Sequence, residues 1–120
     1  MSESVDLRPY VAVAVDESGR TWGGHFGIAP VYAIYDREGR LREQRPNPYG
    51  ARRGQKATHH DNPRLIVDLL ADCGVFIGKR MGEGSRRHLT EKLGVIPVLT
   101  RAQDPQKAVR AWLTSQRALP

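Results

Sequence analysis

The chain has 120 residues, 39% of them hydrophobic and 27% charged, with a formal net charge of +6 and a pI near 10.0. That length suits one domain with a real core, and tight apolar blocks between polar turns argue against disorder. No apolar run reaches the length of a membrane span, no signal-like core follows Met1, and the single cysteine excludes an internal disulfide, so a cytoplasmic protein is expected.

Residues 1–8 are expected to form an extended or disordered tail, and residues 9–117 a single domain. Tyr10 to Val15 is an unbroken apolar run with alternate valines, the pattern of a central strand buried on both faces. Asp16-Glu17-Ser18-Gly19 breaks it. Val31 to Tyr35 reads as a second buried strand. Asp36-Arg37-Glu38-Gly39 is a turn with glycine suited to positive φ. Arg40 to Arg45 follows as a polar third strand, fit for a sheet edge.

Residues 45–60 form a long loop rich in Pro, Gly, Asn and Arg. Loops of this length in compact domains are usually functional. Asn62-Pro63 opens a helix over Pro63–Cys73, with Ile66, Leu69, Leu70 and Cys73 on one stripe and Gly74 ending it. Val75 to Ile77 is a short buried strand. Ser85 to Leu93 is a second helix, stopped by Gly94. Val95 to Thr100 is a fifth strand, placed at an edge because Pro97 cannot donate to a ladder. Asp104-Pro105 opens a third helix over Pro105–Gln116, with Ala108, Val109, Trp112 and Leu113 as its apolar face. No internal repeat is evident.

The fourth strand, second helix and fifth strand form a βαβ unit, so those two strands run parallel. Two edges are assigned and the second and third strands form a hairpin. The order 3-2-1-4-5 satisfies all these constraints. It is a ribonuclease H-like α/β arrangement, a five-stranded mixed sheet with helices on both faces. Four strands then end at one rim. The loops carrying His25, His59 and His60 gather there, where open α/β sheets bind ligands.

His25 lies between glycines in Gly23-Gly24-His25-Phe26-Gly27. A neutral imidazole is a good transition-metal ligand, and flanking glycines leave it open to a large ligand. The same histidine could instead only fix a turn. His59-His60 offers a second imidazole, although adjacent loop residues need not face one metal. His88, between basic neighbours in a helix, reads as exposed surface. Gly82-x-Gly84 at a helix start offers backbone N–H groups and the positive end of the helix dipole, with Lys79 and Arg80 just before it. It is not a P-loop, because no Gly-Lys-Ser/Thr follows. It would suit an anion, or serve as a tight turn.

The basic balance favours anionic partners. A nucleic-acid role finds little support. Asp16, Asp68 and Asp72 do not complete the carboxylate set of a two-metal nuclease, and within the long loop Tyr49 alone could stack a base. Ser18, Ser85 and Ser115 lack a base at motif spacing, so a non-enzyme is expected. A metal-free regulatory domain and a nucleic-acid-binding domain stand as the alternatives.

The GHFG-type loop at Gly24–Gly27, the segment Leu69-Leu70-Ala71-Asp72-Cys73 and the loop Lys79-Arg80-Met81-Gly82-Glu83-Gly84 carry a resemblance. Over Tyr10 to Leu113 the chain resembles the dinitrogenase iron-molybdenum cofactor biosynthesis family, small relatives of nitrogenase accessory factors. The resemblance implies a ribonuclease H-like domain that binds and delivers an iron-sulfur or molybdenum-iron-sulfur cluster, or a precursor. It implies a transient cluster, donor and acceptor proteins of metallocofactor assembly as partners, and no membrane. It implies His25, His59 and His60 as metal ligands. It places Gly24, Phe26, Gly27, Lys79, Arg80, Met81, Gly82 and Gly84 around the cofactor. Certain members carry cysteines after the fourth strand, where this chain has Gly78 and Met81. Thiolates normally hold iron-sulfur clusters, so binding here would be weak, transient or mainly electrostatic. Cys73, on the helix stripe, is expected to be structural.

Overall fold

A computed structural model describes residues 8–50 and 63–117. The valines and alanines of β1 (Tyr10–Val15) alternate, so they point to opposite faces of the sheet. Residues 11–15 are all fully buried. Small Ala12 and Ala14 pair with large neighbours, Phe76 on one side and Tyr32 on the other. That pairing of small with large lets rings fill the layer above β1 without a void.

β1 pairs antiparallel with β2 (Val31–Tyr35), and β2 pairs antiparallel with β3 (Leu41–Pro46). On its other side β1 pairs parallel with β4 (Cys73–Gly78), and β4 with β5 (Ile96–Leu99). The order is β3-β2-β1-β4-β5, the mixed α/β sheet expected from the sequence. Pro97 does lie on an edge strand.

Two apolar layers cover the sheet. On one face Ile66 and Leu70, around α1 (Pro63–Leu69), and Leu89 of α2 (Glu83–Leu93) pack with Phe26, Tyr32, Ile34 and Phe76. On the other, Ala108, Val109 and Trp112 of α3 (Pro105–Arg117) meet Val11, Val13, Val15, Val75 and Ile77. Gly94 closes α2 in the left-handed region at φ 68°, as its position implied.

Two turns share one construction. Asp16 and Asp36 each accept backbone N–H bonds through Oδ1 from the residues two and four positions on. Gly19 and Gly39 follow at φ 90° and 85°, a conformation that favours glycine. The sequences Asp-Glu-Ser-Gly-Arg and Asp-Arg-Glu-Gly-Arg thus encode the same Asx-stabilised loop twice.

The first helix is shorter than expected. It ends at Leu69, and Cys73 opens β4 rather than closing the helix. The cause is Arg45, whose guanidinium takes the Leu69 carbonyl at 3.0 Å and both Asp72 oxygens at 2.9 and 3.2 Å. This fork satisfies a helix-end carbonyl and turns the chain. Tyr10 N–H then takes Asp72 O, and pairing with β1 begins. Gly74 therefore lies inside β4, not at a helix C-terminus. A Cβ there would meet Arg8 O at 3.0 Å, so glycine serves a close approach. Smaller shifts bring β3 to Leu41–Pro46, widen β4 to Cys73–Gly78, start α2 at Glu83, narrow β5 to Ile96–Leu99 and extend α3 to Arg117.

Cys73 remains in the apolar layer at 1% exposure, and burial, aided by the Asp72 carboxylate, pushes its thiol up to about 12. Native protein is expected to resist thiol labelling at pH 8 until unfolded. Cys73→Ala should cost about 1 kcal/mol, and Cys73→Asp much more, because it buries a charge. Rapid native labelling would contradict this.

Hydrogen bonds from Arg45 hold the Asp72 carboxyl below its ordinary 3.8. A carboxyl lowered by folding adds stability above its unfolded pKa and loses it as pH falls through the folded value. Asp72→Asn should therefore destabilise at pH 7, by about 1 kcal/mol for so solvent-accessible a pair. The gap to wild type should begin to narrow below about pH 3.9 and close only once pH has fallen through the lower, folded value. Denaturant melts across pH 2–7 measure this, and a gap constant with pH would refute it.

Candidate functional site

β1, β3, β4 and β5 all end at one rim, at Val15, Pro46, Gly78 and Leu99. The loop after β1 turns back first. Val15 bridges Thr21, and Trp22 N–H donates to Ala14 O at 2.9 Å. The Trp22 indole Nε1–H then donates to His25 O at 3.1 Å. Gly24 fits beneath that ring, since a Cβ there would lie 2.8 Å from Nε1.

His25 is drawn to the loop after β4. Phe26 N–H donates to Arg80 O at 2.8 Å, and His25 and Arg80 form a parallel bridge. The expected juxtaposition of the Gly24–Gly27 and Lys79–Gly82 loops is therefore present in the backbone. His25 is half-buried and precedes a single 3₁₀ turn, Phe26–Ile28, which has no signature in the sequence. The Phe26 ring stacks on Phe76 at 4.9 Å and leans on Tyr32 at the same distance. Gly78 makes room for it, since a Cβ would sit 3.1 Å from Phe26 Cδ2.

Polar groups fasten the turn from below. Tyr32 OH donates to Phe26 O at 2.6 Å. Asn47, 4% exposed, directs its amide N–H groups to Ala29 O at 2.8 Å, Gly27 O at 3.2 Å and Tyr32 OH at 3.2 Å. Its Oδ1 accepts Tyr49 N–H at 3.0 Å. The loops on the far side are tied through Gln103. Its Oε1 accepts from Lys79 Nζ, and its backbone oxygen takes Thr21 N–H at 2.8 Å and Thr21 Oγ1–H at 3.1 Å.

Met81 and Phe26 face the core, at 7% and 3% exposure, and serve to pin their loops. Lys79 is half-buried and Arg80 exposed. Gly82 is the N-cap of α2, where a glycine supplies no side-chain acceptor. Gly84 lies in the first turn with open space beside it. The backbone bridge thus brings His25 beside the loop that carries Lys79, Arg80 and the start of α2. His59 and His60 lie outside the described residues.

Among the described residues, no group of three or more His, Cys, Asp or Glu is placed to hold a metal. Cys73 pairs with Tyr10, at the end of the sheet opposite the rim. Asp16 sits at the rim, but Ser18 and Arg20 bind its carboxylate into its own turn. Burial raises that carboxyl, yet those hydrogen bonds outweigh burial and leave it below 3.8. Thr21, Trp22, Tyr32, Asn47 and Gln103 were missed as supports of the site. Asn47 between Pro46 and Pro48 was the one visible signal, a turn-forming amide at the end of an edge strand.

Among the described residues, no helix is long and apolar enough to cross a membrane. No curated protein matches the chain. Solved structures share its fold, two of them as follows. One is the NMR structure of a Thermotoga protein, TM1290, proposed as a NifB protein of the DUF35 family. It has 21% identity and a TM-score of 0.63, covering 89% of each chain. The other is the crystal structure of PH0822, with 18% identity and a TM-score of 0.64, covering 88% of this chain and 90% of that one. At such identities the likeness speaks for the fold alone. The family model described as dinitrogenase iron-molybdenum cofactor matches residues 9–115. With nearly the whole sheet and its rim inside that match, the chain belongs to the dinitrogenase iron-molybdenum cofactor family.

Proposed function

We propose that this protein binds an iron-sulfur or molybdenum-iron-sulfur cluster, or a precursor, and passes it between proteins of metallocofactor assembly. The observation that carries the reading is the His25–Arg80 bridge. It joins the backbone of His25 to a basic loop that leads into a helix start without a side-chain cap, which supports a shared site. The chemistry of this donor set favours a carrier. Among the described residues the candidate ligand is one imidazole, and an imidazole with nearby cations and N–H groups holds an anionic cluster by charge more than by covalency. Thiolate cages hold clusters permanently, and the one cysteine lies at the other end of the sheet. Cargo held this loosely can leave for an acceptor. The reading is of a cytoplasmic binding protein, not an enzyme. Family membership supports the assembly context.

A metal-free regulatory domain is the second reading. It is favoured by Asp16 being bound into its own turn and Cys73 being buried away from the rim, which leaves neither as a ligand there.

Anaerobic titration with a reconstituted iron-sulfur cluster, followed by absorbance and metal analysis, tests the proposal. Wild type is expected to take up cluster. His25→Ala should weaken uptake roughly tenfold, equivalent to about 1.4 kcal/mol. Lys79→Gln with Arg80→Gln should weaken it a further few-fold at low salt. That second effect should shrink as salt screens exposed charges. Uptake unchanged in both variants removes this ligand set, and no uptake by wild type favours the regulatory reading.

A further inference from the structure

We infer that Tyr32 and Asn47 are positioning residues that set where His25 stands relative to the Lys79–Gly82 loop. The inference rests on the carrier reading for its functional consequence, but not for its structural content.

The argument starts from what the turn lacks. His25 caps Phe26–Ile28 without a side-chain hydrogen bond. A single 3₁₀ turn has poor hydrogen-bond geometry and little stability of its own. Beyond its own Ala29 N–H to Phe26 O bond, its carbonyls at Phe26, Gly27 and Ala29 are taken by Tyr32 OH and the Asn47 amide. Both supporting side chains are almost wholly buried, at 0% and 4% exposure. Buried donors of this kind are costly to leave unpaired, so the network has one satisfied arrangement. Asn47 is oriented in turn by Tyr49 N–H on its Oδ1, and its own N–H donates to Pro30 O at 2.9 Å. The turn therefore cannot rotate without breaking several buried bonds. Phe26 transmits that fixity, because its N–H is also the donor to Arg80 O.

Support of this type commonly changes ligand affinity by about 10- to 100-fold when removed. Tyr32→Phe deletes only the hydroxyl and keeps the ring packed on Phe26. Asn47→Asp keeps the shape and the acceptor for Tyr49 but replaces the donors with an anion facing two carbonyls. Neither side chain is offered as a ligand to the cluster.

The Trp22 indole Nε1–H donates to His25 O, so its NMR resonance reports the loop directly. Trp112, in the opposite apolar layer, is the internal control. Cys73→Ala is the control for lost stability without a disturbed turn. In Tyr32→Phe and Asn47→Asp, the Trp22 indole signal is expected to shift while that of Trp112 holds. Release of bound iron-sulfur cluster should quicken about tenfold in both. Cys73→Ala should leave both readouts as in wild type. If Asn47→Asp does not fold, Tyr32→Phe decides alone. A Trp22 signal unmoved in the folded variants overturns the inference. So does unchanged cluster release despite a moved signal. Should wild type take up no cluster, the carrier reading fails, and the Trp22 signal alone still decides whether these residues hold the loop.

Discussion

The seating of Phe26 is the contact on which the rim depends. Its ring stacks on Phe76 of the central sheet, leans on Tyr32 and covers Gly78. Aromatic contacts of this geometry add about 0.5–1.5 kcal/mol each beyond the area they bury. The ring anchors a loop with four glycines in its neighbourhood, at 23, 24, 27 and 78. Without that anchor the loop would have far more conformations to lose on binding. With it, the Phe26 N–H meets Arg80 O and His25 stands beside the basic loop.

Apolar anchors and polar fasteners divide the labour. Phe26 and Met81 pull their loops onto the core, whereas Tyr32, Asn47 and Gln103 fix where the backbone runs. The accessible chemistry is left to half-buried His25 and Lys79, exposed Arg80 and the start of α2. A buried side chain cannot change with the ligand, while an exposed cation can follow it. The arrangement therefore combines a rigid floor with an adaptable upper surface.

The two ends of the sheet have been given different chemistry. At the rim lie His25, half-buried, and the Lys79–Arg80 pair, half-buried and exposed. Arg45 of β3 clasps the Leu69 carbonyl and Asp72, and at the end opposite the rim the thiol of Cys73 is buried with its ionisation suppressed. A thiol there contributes packing and is withheld from metals and oxidants, because the thiolate is the reactive form.

The sequence by itself determined most of the fold. Alternation in Tyr10–Val15 marked the sheet centre. Pro97 marked an edge, Gly39 and Gly94 marked reversals, and the βαβ unit fixed the order of the strands. These are local signals, each legible because one residue type excludes most other conformations. The convergence of His25 with Lys79–Gly82 also followed, because strand direction alone sends both loops to one rim. Tertiary structure decided the rest. The stripe Ile66, Leu69, Leu70, Cys73 satisfies a helix as well as a helix, turn and strand start. Arg45, remote in sequence, chose between them by taking the Leu69 carbonyl. The 3₁₀ turn after His25 likewise has no periodic signature. It exists because Tyr32 and Asn47, from two other elements, accept its geometry into a buried network that no local pattern records.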